Sequence, residues 1–128
     1  MENKYFTPSV EDIRVGYEGE YHNWSMDDAG VDELNYNRWE KATLNKGNVE
    51  TMLKYGIGEF RVPYLTKERI EAEGWEDMIG YLYKNYRRLN FNSKTNKLEI
   101  YDMFNNIFYV GKCKCINDFR YITKLLGI

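Results

Sequence analysis

Glu18, Glu20 and His22 occupy every second position, and on an extended chain that spacing points two carboxylates and an imidazole the same way. Three oxygen and nitrogen donors so placed could hold a divalent metal, and paired carboxylates could share acid–base work. The plainer reading is a solvated strand face. Arg14 falls on the same side as a neutralising partner, and His22, the single histidine, is expected as an exposed ring beside Asn23 and Trp24 in a polar loop. Cys113 and Cys115 are one residue apart, too close along a strand to bridge comfortably, so both are expected as reduced thiols. Two thiols and one imidazole fall short of the four ligands of a structural zinc site. No metal or cofactor is therefore expected. The chain contains no G-x-G-x-x-G, no Walker loop, no H-E-x-x-H and no G-x-S-x-G. Catalysis needs at least two convergent polar groups in a pocket, and the sequence favours a protein that is not an enzyme.

A second group of residues interleaves stacking platforms with cations. Tyr81, Tyr83, Lys84, Tyr86, Arg87, Arg88, Lys94 and Lys97 all fall within region 81–97. Single-stranded nucleic acid or a nucleotide could use aromatic faces and phosphate-binding charges together. Tyrosine and arginine are equally the residues favoured in protein interfaces, and a tyrosine-rich chain places such side chains around any sheet edge. Arg14, Tyr17 and Glu18 in one strand, with Tyr81, Tyr83, Tyr86, Arg87 and Arg88 in the other region, form the candidate contact surface.

The elements that must position these residues read as follows. Thr7 to Glu11 suggests a turn or one helical turn, with Pro8 at its first position. Ile13 to Tyr21 alternates and predicts a half-buried strand, with Gly16 and Gly19 marking a bulge, a bend or a close approach. Residues 22–37 read as a surface loop, Trp39 to Leu44 as a short strand, and Asn48 to Tyr55 as a brief helix capped by Asn48. Ile57 to Tyr64 predicts a strand whose Pro63 belongs at an edge or an end. Thr66 caps a helix that Gly74 stops, with Leu65, Ile70, Ala72 and Trp75 to dock it. Met78 to Tyr86 fits helix or strand, the alternation of Ile79, Tyr81 and Tyr83 favouring strand. Arg88–Phe91, Lys97–Met103 and Ile107–Lys114 make an antiparallel meander. Asn117 then caps a last helix whose stripe is Phe119, Ile122, Leu125 and Leu126. The expected fold class is α+β: an antiparallel sheet of four to six strands with short helices on one face and the last helix packed on the sheet.

At 128 residues, 43% apolar and 16% aromatic, the chain has the side chains for a real core, and one domain over 1–128 is expected. Net charge is only −2, but residues 1–80 hold seventeen acidic and nine basic side chains, against three and nine in 81–128. The two halves could fold against each other and use that asymmetry internally, or the basic half could present a contact face. No stretch of eighteen apolar residues and no leader-like apolar segment after Met1 occur, so the expected location is the cytoplasm with no membrane partner.

The block Phe6-Thr7-Pro8-Ser9-Val10-Glu11-Asp12-Ile13-Arg14-Val15-Gly16-Tyr17-Glu18 resembles small uncharacterised proteins of gut Bacteroidetes phages and prophages. Phe60-Arg61-Val62-Pro63-Tyr64-Leu65, Ile70 to Trp75, Phe108 to Lys114 and Leu125 to Ile128 resemble the same group, so the likeness spans the chain. Members often carry Lys where Pro63 stands here, and their region between the first two blocks varies in length. The resemblance implies a phage or integrated-element origin and brings no activity or catalytic residue. The expectation is thus a small phage or prophage accessory protein of the bacterial host cytoplasm, working by binding a host or phage protein or by self-association. The alternative is a nucleic-acid or nucleotide binder using region 81–97.

Overall fold

Two antiparallel sheets organise the chain, each in its own compact unit, 1–63 and 64–128. The computed structural model describes residues 4–23 and 38–128. The fold class is α+β, and an expected sheet of four to six strands occurs twice, as one sheet of four strands and one of five.

In the first unit, β1 (Tyr5–Phe6), β2 (Glu18–Asn23), β3 (Arg38–Thr43) and β4 (Phe60–Pro63) pair in the order β1-β4-β2-β3. The predicted strand from Ile13 begins late. Tyr17 N–H donates to Arg14 C=O at 3.0 Å, and Gly16 has φ +90°, the position that a type II turn reserves for glycine. The alternation of Ile13, Val15 and Tyr17 therefore straddles a turn, and pairing starts at Glu18. Upstream, Asp12 N–H closes a turn onto Ser9 C=O at 3.0 Å, in line with the expected turn after Thr7. His22 and Asn23, assigned to a loop by sequence, complete β2 opposite Trp39 and Arg38; the rest of that loop, 24–37, lies outside the described residues.

Helix α1 (Lys46–Tyr55) starts earlier than predicted. Asn45 is its cap, and Asn48 is the reciprocal partner: Asn48 N–H donates to Asn45 Oδ1 at 2.8 Å, and Asn45 N–H to Asn48 Oδ1 at 3.0 Å. Pro63 ends β4, as its missing donor requires. The buried apolar residues of this unit are Ile13, Tyr17, Leu44, Phe60 and Val62. Gly19 lets the Phe60 ring lie directly on β2; a Cβ there would run into that ring and stand 2.8 Å from the Arg61 carbonyl oxygen.

The second unit is a meander of β5 (Glu76–Met78), β6 (Tyr81–Lys84), β7 (Arg87–Asn92), β8 (Lys97–Asp102) and β9 (Ile107–Lys112), with spatial order equal to chain order. Its hairpins resolve the ambiguous stretch from Met78 as strand, with Ile79 and Gly80 forming the β5–β6 turn. Asn85 and Tyr86, at φ 49° and 64°, make the two-residue β6–β7 turn of the kind that matches strand twist. Helix α2 (Lys67–Ala72) is capped by Thr66 Oγ1, which accepts from Arg69 N–H at 3.3 Å. Leu65, Ile70 and Trp75 dock it, whereas Ala72 is exposed.

Helix α3 (Ile116–Leu126) is capped two residues before the expected Asn117. Cys115 occupies the cap position, and Asn117 is buried, its side-chain amide donating to Cys115 Sγ at 3.7 Å. Gly127, left-handed at φ 70°, closes the helix, with Ile128 N–H donating to Thr123 C=O at 2.9 Å. Leu82, Leu89, Leu98 and Ile100 form the buried face of the sheet, and Phe119, Ile122 and Leu126 of α3 pack on it with Ile116; Leu125, expected in that stripe, is exposed.

Both cysteines are free and fully buried. Burial, reinforced by the nearby Asp118 and Cys115 charges, pushes the Cys113 thiol far above the ordinary thiol range. Neither thiol is expected to react with a neutral-pH thiol reagent until the unit unfolds. Rapid labelling of the native protein would contradict this packing.

Candidate functional site

The two predicted groups of contact residues fall in different units. In the first, Glu18, Glu20 and His22 do share one face of β2, set opposite Thr43, Lys41 and Trp39. Glu20 and His22 have partners within the unit. Glu20 accepts from Arg61 Nε at 2.9 Å and Arg61 Nη2 at 2.8 Å, and the same guanidinium lies 3.7 Å from the Tyr5 ring centre and 4.1 Å from that of Trp39. Such a sandwich adds cation–π attraction to the ion pair.

His22 contacts Glu59 through Nδ1 at 2.7 Å and packs on Trp39 with ring centres 5.0 Å apart. Its side chain is 8% exposed, not the solvated ring expected, because β2 reaches far enough to pair it with Trp39. Among the described residues no three His, Cys, Asp or Glu side chains gather into a metal site.

Tyr17, expected on a contact surface, is 2% exposed and sits 6.4 Å from Phe60, so it belongs to the core. Arg14 stays exposed in the turn, its guanidinium 5.7 Å from the Tyr17 ring, and so does not share the Glu18 face. Arg61, Tyr5 and Trp39 were missed by sequence reading. The signal for Arg61 was present: it lies between Phe60 and Val62, where alternation forces it off the core face.

In the second unit, region 81–97 is brought together only in part: Lys84 and Arg87 pair on the Leu82–Leu89 side of the sheet. Core-facing Leu82 and Leu89 leave Tyr81, Tyr83 and Arg88 on the opposite, outer face, joined there by Lys97, Glu99 and Tyr101 from β8. Arg88 stands between Tyr83 and Tyr101 in register, lies 5.9 Å from the Tyr81 ring centre, and bonds to the Asn105 side chain. Tyr86 projects from the turn at 77% exposure, edge-on to Tyr83.

The cations of this region are largely committed within the unit. Lys84 Nζ donates to Glu73 C=O at 2.8 Å, Arg87 donates to Asn85 C=O at 2.9 Å, and Lys97 pairs with Glu99 at 3.1 Å. The Tyr101 hydroxyl donates to Glu99 at 2.6 Å. That bond, with the Lys97 ammonium, holds the Glu99 carboxyl below its usual range, while the same bond and burial raise the Tyr101 phenol.

What sequence reading missed is the apolar border. Phe104 is 85% exposed and Ile107 64%, and Phe108 and Val110 are exposed beside them; Arg87 lies 5.3 Å from the Phe108 ring centre. The turn that carries Phe104 is built by Asp102, whose carboxylate accepts from the backbone N–H of Phe104 at 2.7 Å and of Asn106 at 2.8 Å, and from the Asn106 side chain at 2.7 Å. Burial raises the Asp102 pKa, but the Asn106 and Phe104 donors outweigh it, and the net shift is downward.

Carboxylates with lowered folded-state pKa stabilise fully above their unfolded pKa and lose that contribution as pH falls through the folded value. Stability is therefore expected to decline on acidification from about pH 5 downward, less steeply in Asp102→Asn and Glu99→Gln. Denaturant midpoints measured across that range check this.

A pocket of about 480 Å³ opens where β6 stops at Tyr81 while β7 runs on to Asn92. Asn90, Lys67, Asp77, Lys97 and Glu99 line it, and its charges are paired, Lys67 with Asp77 at 2.8 Å and Lys97 with Glu99. The outer face thus combines aromatic platforms, an arginine set among them, an apolar border and mutually neutralised charges, which suits recognition of a surface better than bond making. No protein-family model, curated protein or solved structure matches this chain, and its own geometry carries the functional reading.

Proposed function

We propose that this is a binding protein without catalytic activity that engages a protein partner through the outer face of its five-stranded sheet. The observation that carries the reading is the exposed apolar border of Phe104, Ile107, Phe108 and Val110, with Arg87 over the Phe108 ring and Arg88 bonded to Asn105 in the turn that carries Phe104. Contiguous exposed apolar groups around aromatic and arginine anchors are characteristic of protein interaction sites. The sequence resemblance supplies the setting, a phage or prophage accessory role.

Nucleic-acid or nucleotide binding remains the second reading, favoured by Tyr81, Tyr83 and Arg88 on one face. Intramolecular partners of Lys84, Arg87 and Lys97 weigh against it, since phosphate binding needs cations free to neutralise it.

A photo-crosslinking residue in place of Phe104, introduced in the cells that make the protein, tests the choice. A discrete, nuclease-resistant protein adduct is expected. A nuclease-sensitive adduct, or binding that falls steeply with salt, would overturn the proposal in favour of nucleic acid.

A further inference from the structure

β9 ends its sheet, and among the described residues no strand pairs with its far side. Hydrogen-bond alternation identifies which backbone groups are open there. The two-residue turn makes Lys84 and Arg87 a hydrogen-bonded closing pair, so Arg87, Leu89 and Phe91 turn their backbone groups toward β6, and Arg88, Asn90 and Asn92 toward β8. One strand further on, Leu98 and Ile100 engage Gly111 and Tyr109, and Cys113 N–H donates to Asn96 C=O at 2.8 Å in the same phase. Val110 and Lys112 therefore turn their N–H and C=O groups outward, the Lys112 carbonyl also accepting from the Tyr109 hydroxyl at 2.9 Å. A bulge near Ile107 shifts the register at the other end and leaves Tyr109–Lys112 as the regular free edge.

Edge strands are commonly guarded by a central charge or a proline. β9 reads Ile-Phe-Tyr-Val-Gly-Lys, with a single charge at its last residue and exposed Ile107, Phe108 and Val110.

The charges say what fits. Lys112 stands directly opposite Lys97, and among the described residues no carboxylate pairs with it, whereas Lys97 has Glu99. Like charges facing each other across a ladder are unfavourable, and an acidic side chain on the next strand would relieve them. β9 has no acidic residue to offer another copy of itself, and unit 64–128 as a whole carries eleven basic against eight acidic residues.

Resting on the protein-partner reading above, we infer that β9 is a docking edge for an extended acidic segment of another protein. The segment adds antiparallel as a sixth strand. An aspartate or glutamate lies opposite Lys112, with an apolar residue two positions later, opposite Val110. Backbone pairing supplies affinity and the alternate side chains supply specificity, as in other strand-addition complexes.

The test uses the full chain and two capped synthetic peptides of alternating threonine and valine, one beginning with glutamate and the other with lysine at that position. The glutamate peptide is expected to bind and to slow amide exchange at Val110 and Lys112. The lysine peptide is expected to bind about fivefold or more weakly, with the preference reversed in Lys112→Glu. Val110→Pro removes an outward N–H that β8 does not use, so it should abolish peptide binding while the fold, checked by circular dichroism, persists. Absence of binding, equal binding of both peptides, or binding that leaves the Val110 and Lys112 amides unprotected would overturn the inference. In that event a protein adduct at Phe104 would leave the partner reading standing, and a nuclease-sensitive adduct would remove both.

Discussion

Phe119→Ala is expected to destabilise the protein by about 3–5 kcal/mol, the largest effect of any single substitution considered. Phe119 is almost fully buried and meets Trp75 edge-on, with ring centres 6.3 Å apart. It also joins α3 to a core that includes Leu65 and Ile70 beside α2, and Leu89, Leu98 and Ile100 of the sheet. Truncation removes the transfer energy of the ring and leaves a cavity that strand, helix and indole cannot all collapse into. Against a typical total stability of about 5–15 kcal/mol, that loss leaves little margin. Denaturant unfolding of wild type and variant measures it. Leu125→Ala is the matched control, since Leu125 is 68% exposed in the same helix and should cost well under about 1 kcal/mol. A small loss at Phe119 would mean that α3 does not anchor this core.

Gly19→Ala is the second large effect, expected at about 1–3 kcal/mol or somewhat more. The added methyl has two obstacles of different kinds. The Phe60 ring can shift only by giving up its buried site, and the Arg61 carbonyl oxygen, 2.8 Å from the new carbon, is backbone held in the β4 ladder. Phe60→Leu removes the far ring atoms, so the double variant should lose less than the sum of the two single losses. The backbone clash remains, and rescue should be partial. Strict additivity would show that the ring is not what Gly19 accommodates.

Both substitutions bear on how the function is presented. Phe119 supports the buried face of the sheet whose opposite face carries Tyr81, Tyr83, Arg88 and Tyr101. Gly19 supports the β2–β4 contact that lines up Glu20 with Arg61. Neither is itself placed to touch a partner. Their loss should lower binding through folding alone, whereas Lys112→Glu, at an exposed position, should alter partner preference with little change in stability.

Much of the architecture was legible in the residues. The meander of the second unit follows from alternating apolar positions punctuated by asparagine-rich turns, and Thr66, Gly74 and Gly127 mark helix ends by chemistry that needs no tertiary help. Where sequence and structure part, a local competitor prevailed. At Ile13 to Gly16 a type II turn overrode an alternating pattern, because glycine at φ +90° costs nothing in the turn and its neighbours happened to keep period two. At the start of α3, Asn117 looked like a cap, but burial of Phe119 and Ile116 sets where the helix begins, and Cys115 took the cap position without a side-chain bond.

The candidate site divides along the same line. Sequence alone grouped Tyr81, Tyr83 and Arg88 with the other aromatic and basic residues of region 81–97 by type, and the strands put these three on one face because they alternate with core leucines. It could not show that Tyr17 is core, that Lys84, Arg87 and Lys97 are spoken for by Glu73, Asn85 and Glu99, or that β9 is an edge, since each depends on which residues distant in sequence become neighbours. Composition and local pattern determined an α+β protein of short antiparallel strands. Only the tertiary structure decided that the strands form two sheets and which of their faces and edges stay open, because apolar strands can pair in many orders and long-range packing selects among them.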